Sequence, residues 1–194
     1  AKFIIFTLHK LYKRGIDGYR ESVEQWINTN NIQIDAEDKK EVILRLFENG
    51  QLALIYGAAG TGKTTLMNYI AKFWGTQNFS MLFLAQTNTA VDNMKRRIQT
   101  SNADFMTISK YLYKREPGEY DIIFIDECST ISNSEMKSFL EKTNINLLVL
   151  VGDPYQIEAI QFGNWFSNLE YFESSKVFKL EKTYRTKNSR IMEL

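Results

Sequence analysis

The run Gly57-Ala58-Ala59-Gly60-Thr61-Gly62-Lys63-Thr64 constrains this chain more than any other feature. It fits G-x-x-x-x-G-K-[ST], and the segments on either side are those such a loop requires. Leu52 to Tyr56 is an apolar run that reads as a buried strand entering the loop. From Thr65 to Trp74, apolar residues recur at helical spacing (Leu66, Tyr69, Ile70, Phe73). Glycines at 57, 60 and 62 let backbone N–H groups turn toward an anion with no side chain in the way. Lys63 adds a point charge for the outer phosphates, and Thr64 offers a hydroxyl to Mg²⁺. The segment Gly57, Ala58, Ala59, Gly60, Thr61, Gly62, Lys63, Thr64 and Thr65 is therefore expected to bind a nucleoside triphosphate.

The rest of the composition sets bounds. A chain of 194 residues, 44% hydrophobic and 24% charged, can bury one full core, with a small appendage besides. A formal net charge of +1 gives no overall field for nucleic acid, so such a role must rest on a local patch. Cys128 has no second cysteine to pair with, and no apolar run approaches the ~18 residues of a membrane span. These point to a reduced, cytoplasmic protein with no membrane contact. Lys10, Lys13 and Arg14 follow the first apolar stretch, the wrong side for a secretory signal. The chain starts without Met and stops within a stretch of helical character, as a piece of something longer would.

Along the chain, residues 1–16 fit the helical and the strand period equally badly, and either remains open. Asp17 is placed to cap a helix running through Ile27, with Tyr19, Val23, Trp26 and Ile27 on one face. Residues 1–34 read as an N-terminal appendage or linker, and 35–194 as the main domain. A helix is expected from Asp35 through Phe47, stopped by Gly50. Further strands are expected at 80–85, 121–125, 146–151 and 177–180, separated by helices near 90–98, 108–114, 134–142 and 165–171. The strands are continuously apolar, which means a sheet covered on both faces. Strands alternating with helices give an α/β fold of three layers with a mainly parallel central sheet.

A second motif, Ile122-Ile123-Phe124-Ile125-Asp126-Glu127, is a buried strand ending in two carboxylates, and strand ends are where such sheets bind ligands. Asp126 can hold Mg²⁺, and Glu127 can accept a proton from an attacking water. Taken alone, the pair also fits a solvated helix start that favours acids through its dipole. Cys128 and His9 are assigned no chemistry. Gln86-Thr87-Asn88-Thr89 ends another strand, with hydroxyl and amide groups able to bond a nucleic-acid backbone and Lys95-Arg96-Arg97 following; a capped helix with a solvated basic face is the alternative there.

Read together, GAAGTGKT (57–64), AQTNTAVDNM (85–94), TISKYL (107–112), IDECS (125–129), VGDPYQIEAI (151–160) and LEKTYRT (180–186) resemble, in order and spacing, the first RecA-like domain of superfamily 1 helicases. The style is that of the RecD-like and Pif-like branch, because the stretch from Met94 to Asp121 is too short for the insertion of UvrD-like members. The resemblance implies ATP and Mg²⁺ as cofactors and single-stranded DNA or RNA as partner. It also implies roles for single residues. Thr87, Asn88 and Thr107 would contact the strand, Gln156 would couple nucleotide state to the nucleic-acid groove, Arg185 would bind the γ-phosphate, and Tyr184 would stack on adenine. Of Phe162, Trp165 and Phe166, at least two are expected to pack in the core, and Trp165 is the favoured ring for stacking on a base. Two departures stand out: Asp38 lies where the family's upstream adenine-reading glutamine is expected, and no second RecA-like domain follows. The expected function is an ATP-hydrolysing motor domain, with a nucleotide-gated binding module as the alternative. A small-molecule kinase would leave VGDPYQ and QTNTAVDN without a role.

Overall fold

The computed structural model describes residues 1–12, 14–156, 165–173 and 177–181. Its centre is a six-stranded sheet of β1 (Leu52–Gly57), β2 (Met81–Ala85), β3 (Ala103–Thr107), β4 (Ile122–Ile125), β5 (Leu147–Gly152) and β6 (Val177–Leu180). The spatial order is β3-β2-β4-β5-β1-β6, and every pairing is parallel. Parallel neighbours need crossovers, and the helices supply them.

Each strand divides its side chains between two cores with a period of two. On one face lie Ala53 and Ile55 of β1, Phe83 of β2, Phe124 of β4 and Val149 of β5. They pack under α2 (Tyr19–Thr29), α3 (Glu37–Arg45), α4 (Lys63–Gly75) and α5 (Asn88–Arg97). Leu54, Leu84, Ile125 and Leu150 point the other way, against α1 (Lys2–Leu11), α6 (Ile108–Tyr113), α7 (Asn133–Lys142) and α8 (Trp165–Glu173). The first core is tied across strands by stacked rings: Phe83 lies 4.8 Å from Phe105 and 4.4 Å from Phe124, centroid to centroid.

Several expectations change. Residues 2–11 form a helix, and its period was hard to see because apolar residues ring it. Ile4 and Leu8 face the core while Phe3 and Phe6 remain exposed, with Lys10 Nζ over the Phe6 ring at 4.4 Å. Gly18, with φ +69°, takes the N-cap position expected of Asp17. The helix after Asp35 is shorter than expected and begins at Glu37. Asp35 instead accepts from Lys39 Nζ at 2.5 Å, pairing a lysine that is 1% exposed. Strand β3 was not expected from the pattern: it is an edge strand, carries Asp104, and only Met106 is buried.

Residues 1–34 enter both cores, Ile4, Leu8 and Tyr12 on one side and Tyr19, Val23, Trp26 and Ile27 on the other. Tyr19 Oη donates to the Ile43 carbonyl at 2.7 Å, and Gln51 N–H donates to the Leu11 carbonyl at 2.6 Å. Leu8→Ala is therefore expected to lower global stability by about 2–5 kcal/mol, the cost of a core truncation. Urea unfolding followed by far-UV circular dichroism reads this; an unchanged midpoint would mean that α1 is only an appendage.

Candidate functional site

The sheet order makes β4, β5 and β1 direct neighbours, so their carboxyl ends stand side by side. The loop leaving β1 turns through Gly60 (φ +82°) and Gly62 (φ +85°), left-handed positions where a side chain would be strained. At Gly57 a Cβ would lie 2.5 Å from Thr61 Oγ1, which donates to the Ala58 carbonyl at 2.9 Å. Helix α4 starts at Lys63 with no side-chain cap, leaving first-turn N–H groups for an anion. Lys63 Nζ donates to the carbonyls of Gly57 (2.6 Å) and Ala58 (2.9 Å), so its charge is folded onto the loop. Burial lowers its pKa, and the carboxylates of Asp126, Asp153 and Glu127 act against that.

Asp126, 8% exposed, follows β4, and its N–H donates to the Leu84 carbonyl at 2.9 Å. Its Oδ1 accepts from the Glu127 N–H at 2.8 Å. Burial pushes the Asp126 carboxyl up to about 6; the Glu127 N–H works against that, the Glu127 charge adds to it, and Lys63 lowers it. Glu127 has φ +54°, a left-handed backbone in a residue with a side chain. Such positions cost about 1–3 kcal/mol and gather at functional sites. Behind β5, Asp153 Oδ1 accepts from the Tyr155 N–H (3.0 Å) and its carbonyl from the Gln156 N–H (3.2 Å), a turn that carries Gln156.

Lys63, Thr64, Asp126, Glu127, Asp153 and Gln156 line one cleft of about 210 Å³. Sequence reasoning gave Asp153 and Asn93 no role and read Arg97 with Lys95 and Arg96 as a basic stretch for nucleic acid, whereas all three of Asp153, Asn93 and Arg97 line this cleft. The positions of Ala90, Asn93, Met94 and Arg97 at helical spacing were the available signal. A second cavity of about 380 Å³ opens on the other side of the loop, lined by Tyr56, Thr61, Pro154, Tyr155 and Leu180 among others. The Thr64 hydroxyl and the Asp126 carboxylate are hard oxygen donors. They fit Mg²⁺, which takes one or two protein ligands and completes its shell with phosphate and water.

Thr87 and Thr107 stand at the ends of β2 and β3, where Ala85 and Thr107 are register partners. Each hydroxyl caps a helix: Thr87 Oγ1 accepts from Ala90 N–H and Thr107 Oγ1 from Lys110 N–H, both at 3.2 Å. Thr87 and Asn88 are exposed. Trp165 is corrected from a base-stacking ring to a core residue. It is 1% exposed, and its Nε1 donates to the Ile131 carbonyl at 2.8 Å, so neither ring face is open to a base. Phe166 is buried beside it. Asp38 Oδ1 accepts from the Lys39 N–H at 2.9 Å on the first turn of α3. Cys128 is fully buried, which pushes its thiol pKa well up. Phe162, Tyr184 and Arg185 lie outside the described residues. Among the described residues no helix is long and apolar enough to cross a membrane.

A parallel sheet covered on both faces, with a phosphate loop after β1 and acids at the ends of neighbouring β4 and β5, defines a RecA-like P-loop domain. The AAA domain family matches residues 36–194, and the chain belongs to that family. Within it, the motif order resembles that of the RecD-like and Pif-like superfamily 1 helicases. The probable conjugal transfer protein TraA of Sinorhizobium fredii is 24% identical over 163 residues, 80% of this chain but 14% of that protein. The Pif1 helicase from Bacteroides, in complex with ADP-AlF3 and ssDNA, superposes with a TM-score of 0.55 at 15% identity, over 80% of this chain and 44% of that one. The UvsW helicase from bacteriophage T4 gives 0.64 at 12% identity, over 86% and 70%. These two likenesses are of fold.

The Asp126 carboxyl has a consequence for stability. Its folded value of about 6 lies above the ordinary 3.8, so the folded state holds the proton more tightly. Stability is therefore greatest below pH 4 as far as this group is concerned, and falls as pH rises to about 6, by on the order of 2 to 3 kcal/mol. Asp126→Asn should flatten that window and be the more stable protein at pH 7 without nucleotide. Urea midpoints for both proteins between pH 4 and 7 test this, and parallel curves would contradict it.

Proposed function

We propose that this chain is the ATP-binding and ATP-hydrolysing part of a helicase or translocase acting on single-stranded nucleic acid, DNA in the first instance. The observation that carries this is the convergence of Lys63, Thr64, Asp126, Glu127 and Gln156 on one cleft at adjoining strand ends. A triphosphate would draw the Lys63 ammonium off the Gly57 and Ala58 carbonyls and onto its outer phosphates. The backbone N–H groups that open α4 would hold the phosphate oxygens. Mg²⁺ held by Thr64 and Asp126 would neutralise charge building on the phosphates. Glu127 would orient the attacking water and accept its proton. Gln156 can donate from its amide nitrogen and accept at its amide oxygen, so it can report on the water or the last phosphate.

Arg185 on the γ-phosphate and Tyr184 on adenine complete this reading by resemblance. Thr87, Asn88 and Thr107 are proposed to hold the strand at the ends of β2 and β3. The Bacteroides Pif1 chain is more than twice the aligned length, which supports a second RecA-like domain as the partner that closes the cleft. An arginine brought across such a cleft can be worth ~10³ to 10⁵ in rate. Closing and reopening with each ATP would move the strand.

Phosphate release, measured on the protein extended beyond Leu194, is expected to rise on adding single-stranded DNA. Glu127→Gln should lower that turnover about 10² to 10⁴-fold while nucleotide still binds. Lys63→Ala should weaken nucleotide binding itself. Turnover without any response to DNA or RNA would favour a nucleotide-gated binding module instead.

A further inference from the structure

Gln86 follows β2 directly and precedes Thr87, the cap of α5. Its Nε2 donates to Glu135 Oε1 at 3.1 Å, across 49 residues of sequence. Because that acceptor is a carboxylate oxygen, the amide can face it only with its nitrogen. The other oxygen, Glu135 Oε2, accepts from the Ser132 N–H (3.0 Å) and Oγ (2.8 Å), and Ser132 Oγ accepts in turn from the Glu135 N–H (3.1 Å). The carboxylate is thus held at the start of α7 by a capping box and holds Gln86 from there.

Ser132 is connected to the nucleotide acids by one stiff turn. The Glu127 carbonyl accepts from Thr130 N–H (2.9 Å) and Thr130 Oγ1 (2.7 Å), and the Cys128 carbonyl accepts from Ile131 N–H (3.2 Å). Trp165, downstream of Gln156, grips the same turn through the Ile131 carbonyl. A displacement of Glu127 therefore reaches Ser132 within five residues of chain, and reaches Gln86 through Glu135.

Two observations bear on this link. Gln86 Oε1, Ser129 Oγ and Asn133 Oδ1 are buried without a hydrogen-bond partner among the described residues, so polar atoms with spare bonding capacity lie along it, as they do also at Trp74 and Thr100 elsewhere in the fold. Glu127, at the head of the turn, also stands in the strained left-handed region.

We propose that Gln86 and Glu135 are positioning residues that couple the nucleotide cleft to the strand-binding face. The turn from Glu127 to Ser132 carries the displacement, and the Gln86–Glu135 hydrogen bond passes it to Thr87 and Asn88. This rests on the function proposed above.

The test is linkage on this chain: affinity for a fluorescent oligothymidylate, measured with and without a non-hydrolysable ATP analogue and Mg²⁺. Nucleotide is expected to change the parent's oligonucleotide affinity about tenfold. Gln86→Glu, which sets two carboxylates against each other, should bring that ratio to within about twofold of unity, with affinity for nucleotide alone little changed. Gln86→Met removes the donor at similar volume and should do the same. The double variant Gln86→Glu with Glu135→Gln reverses the donor and acceptor, leaves an amide oxygen to cap α7, and should restore the ratio. Unaltered coupling in both single variants, or failure of the double variant to restore it at parental thermal stability, overturns the relay alone. A parent chain that binds neither nucleotide nor oligonucleotide overturns the proposed function, and the relay with it.

Discussion

All six strands run the same way, and the consequences of that single constraint reach the whole molecule. Parallel pairing sends each crossover helix to one face or the other, so both faces are covered and the inner strands β1, β2, β4 and β5 are apolar on both sides. It also collects every carboxyl end at one edge of the sheet. The phosphate loop after β1, the acids after β4 and the Asp153 turn after β5 are far apart in sequence. They become neighbours only because β4, β5 and β1 pair in that order.

Charge at that edge is balanced within the protein. Lys63 is bonded to loop carbonyls, and the nearby carboxylates keep its charge in place against burial. Asp126 carries the opposite cost, held in a low-dielectric site with one N–H donor and a second carboxylate beside it. The two costs share one source, burial, which disfavours the charged form of the lysine and of the acid alike.

Much of the fold was legible because the strands are short, continuous and apolar, and because strand, glycine loop and helix occur together at residues 52–74. The missed strand β3 shows the limit of pattern reading. As an edge strand with Asp104 in its middle, it is recognised only by its register against β2. The N-terminal segment shows another, since apolar side chains on several sides of α1 blur the period that burial later makes plain. At the site, Lys63, Thr64, Asp126, Glu127 and Gln156 could be picked out because strand ends and motif spacing point to them. Asp153 was not, and Arg97 was read only as part of a basic run, because their place in the cleft depends on how β5 and α5 pack.

The sequence by itself determined the class of fold and the chemistry of its loop, since glycine spacing, a lysine and apolar periodicity are local properties of the chain. Only the tertiary structure decided what each aromatic and polar side chain does, because burial and pairing are set by segments distant in sequence. Trp165 illustrates the division. Its place downstream of Gln156 offered a ring to stack on a base, whereas the core it shares with α1 and the turn after β4 seals it in, bonded to Ile131.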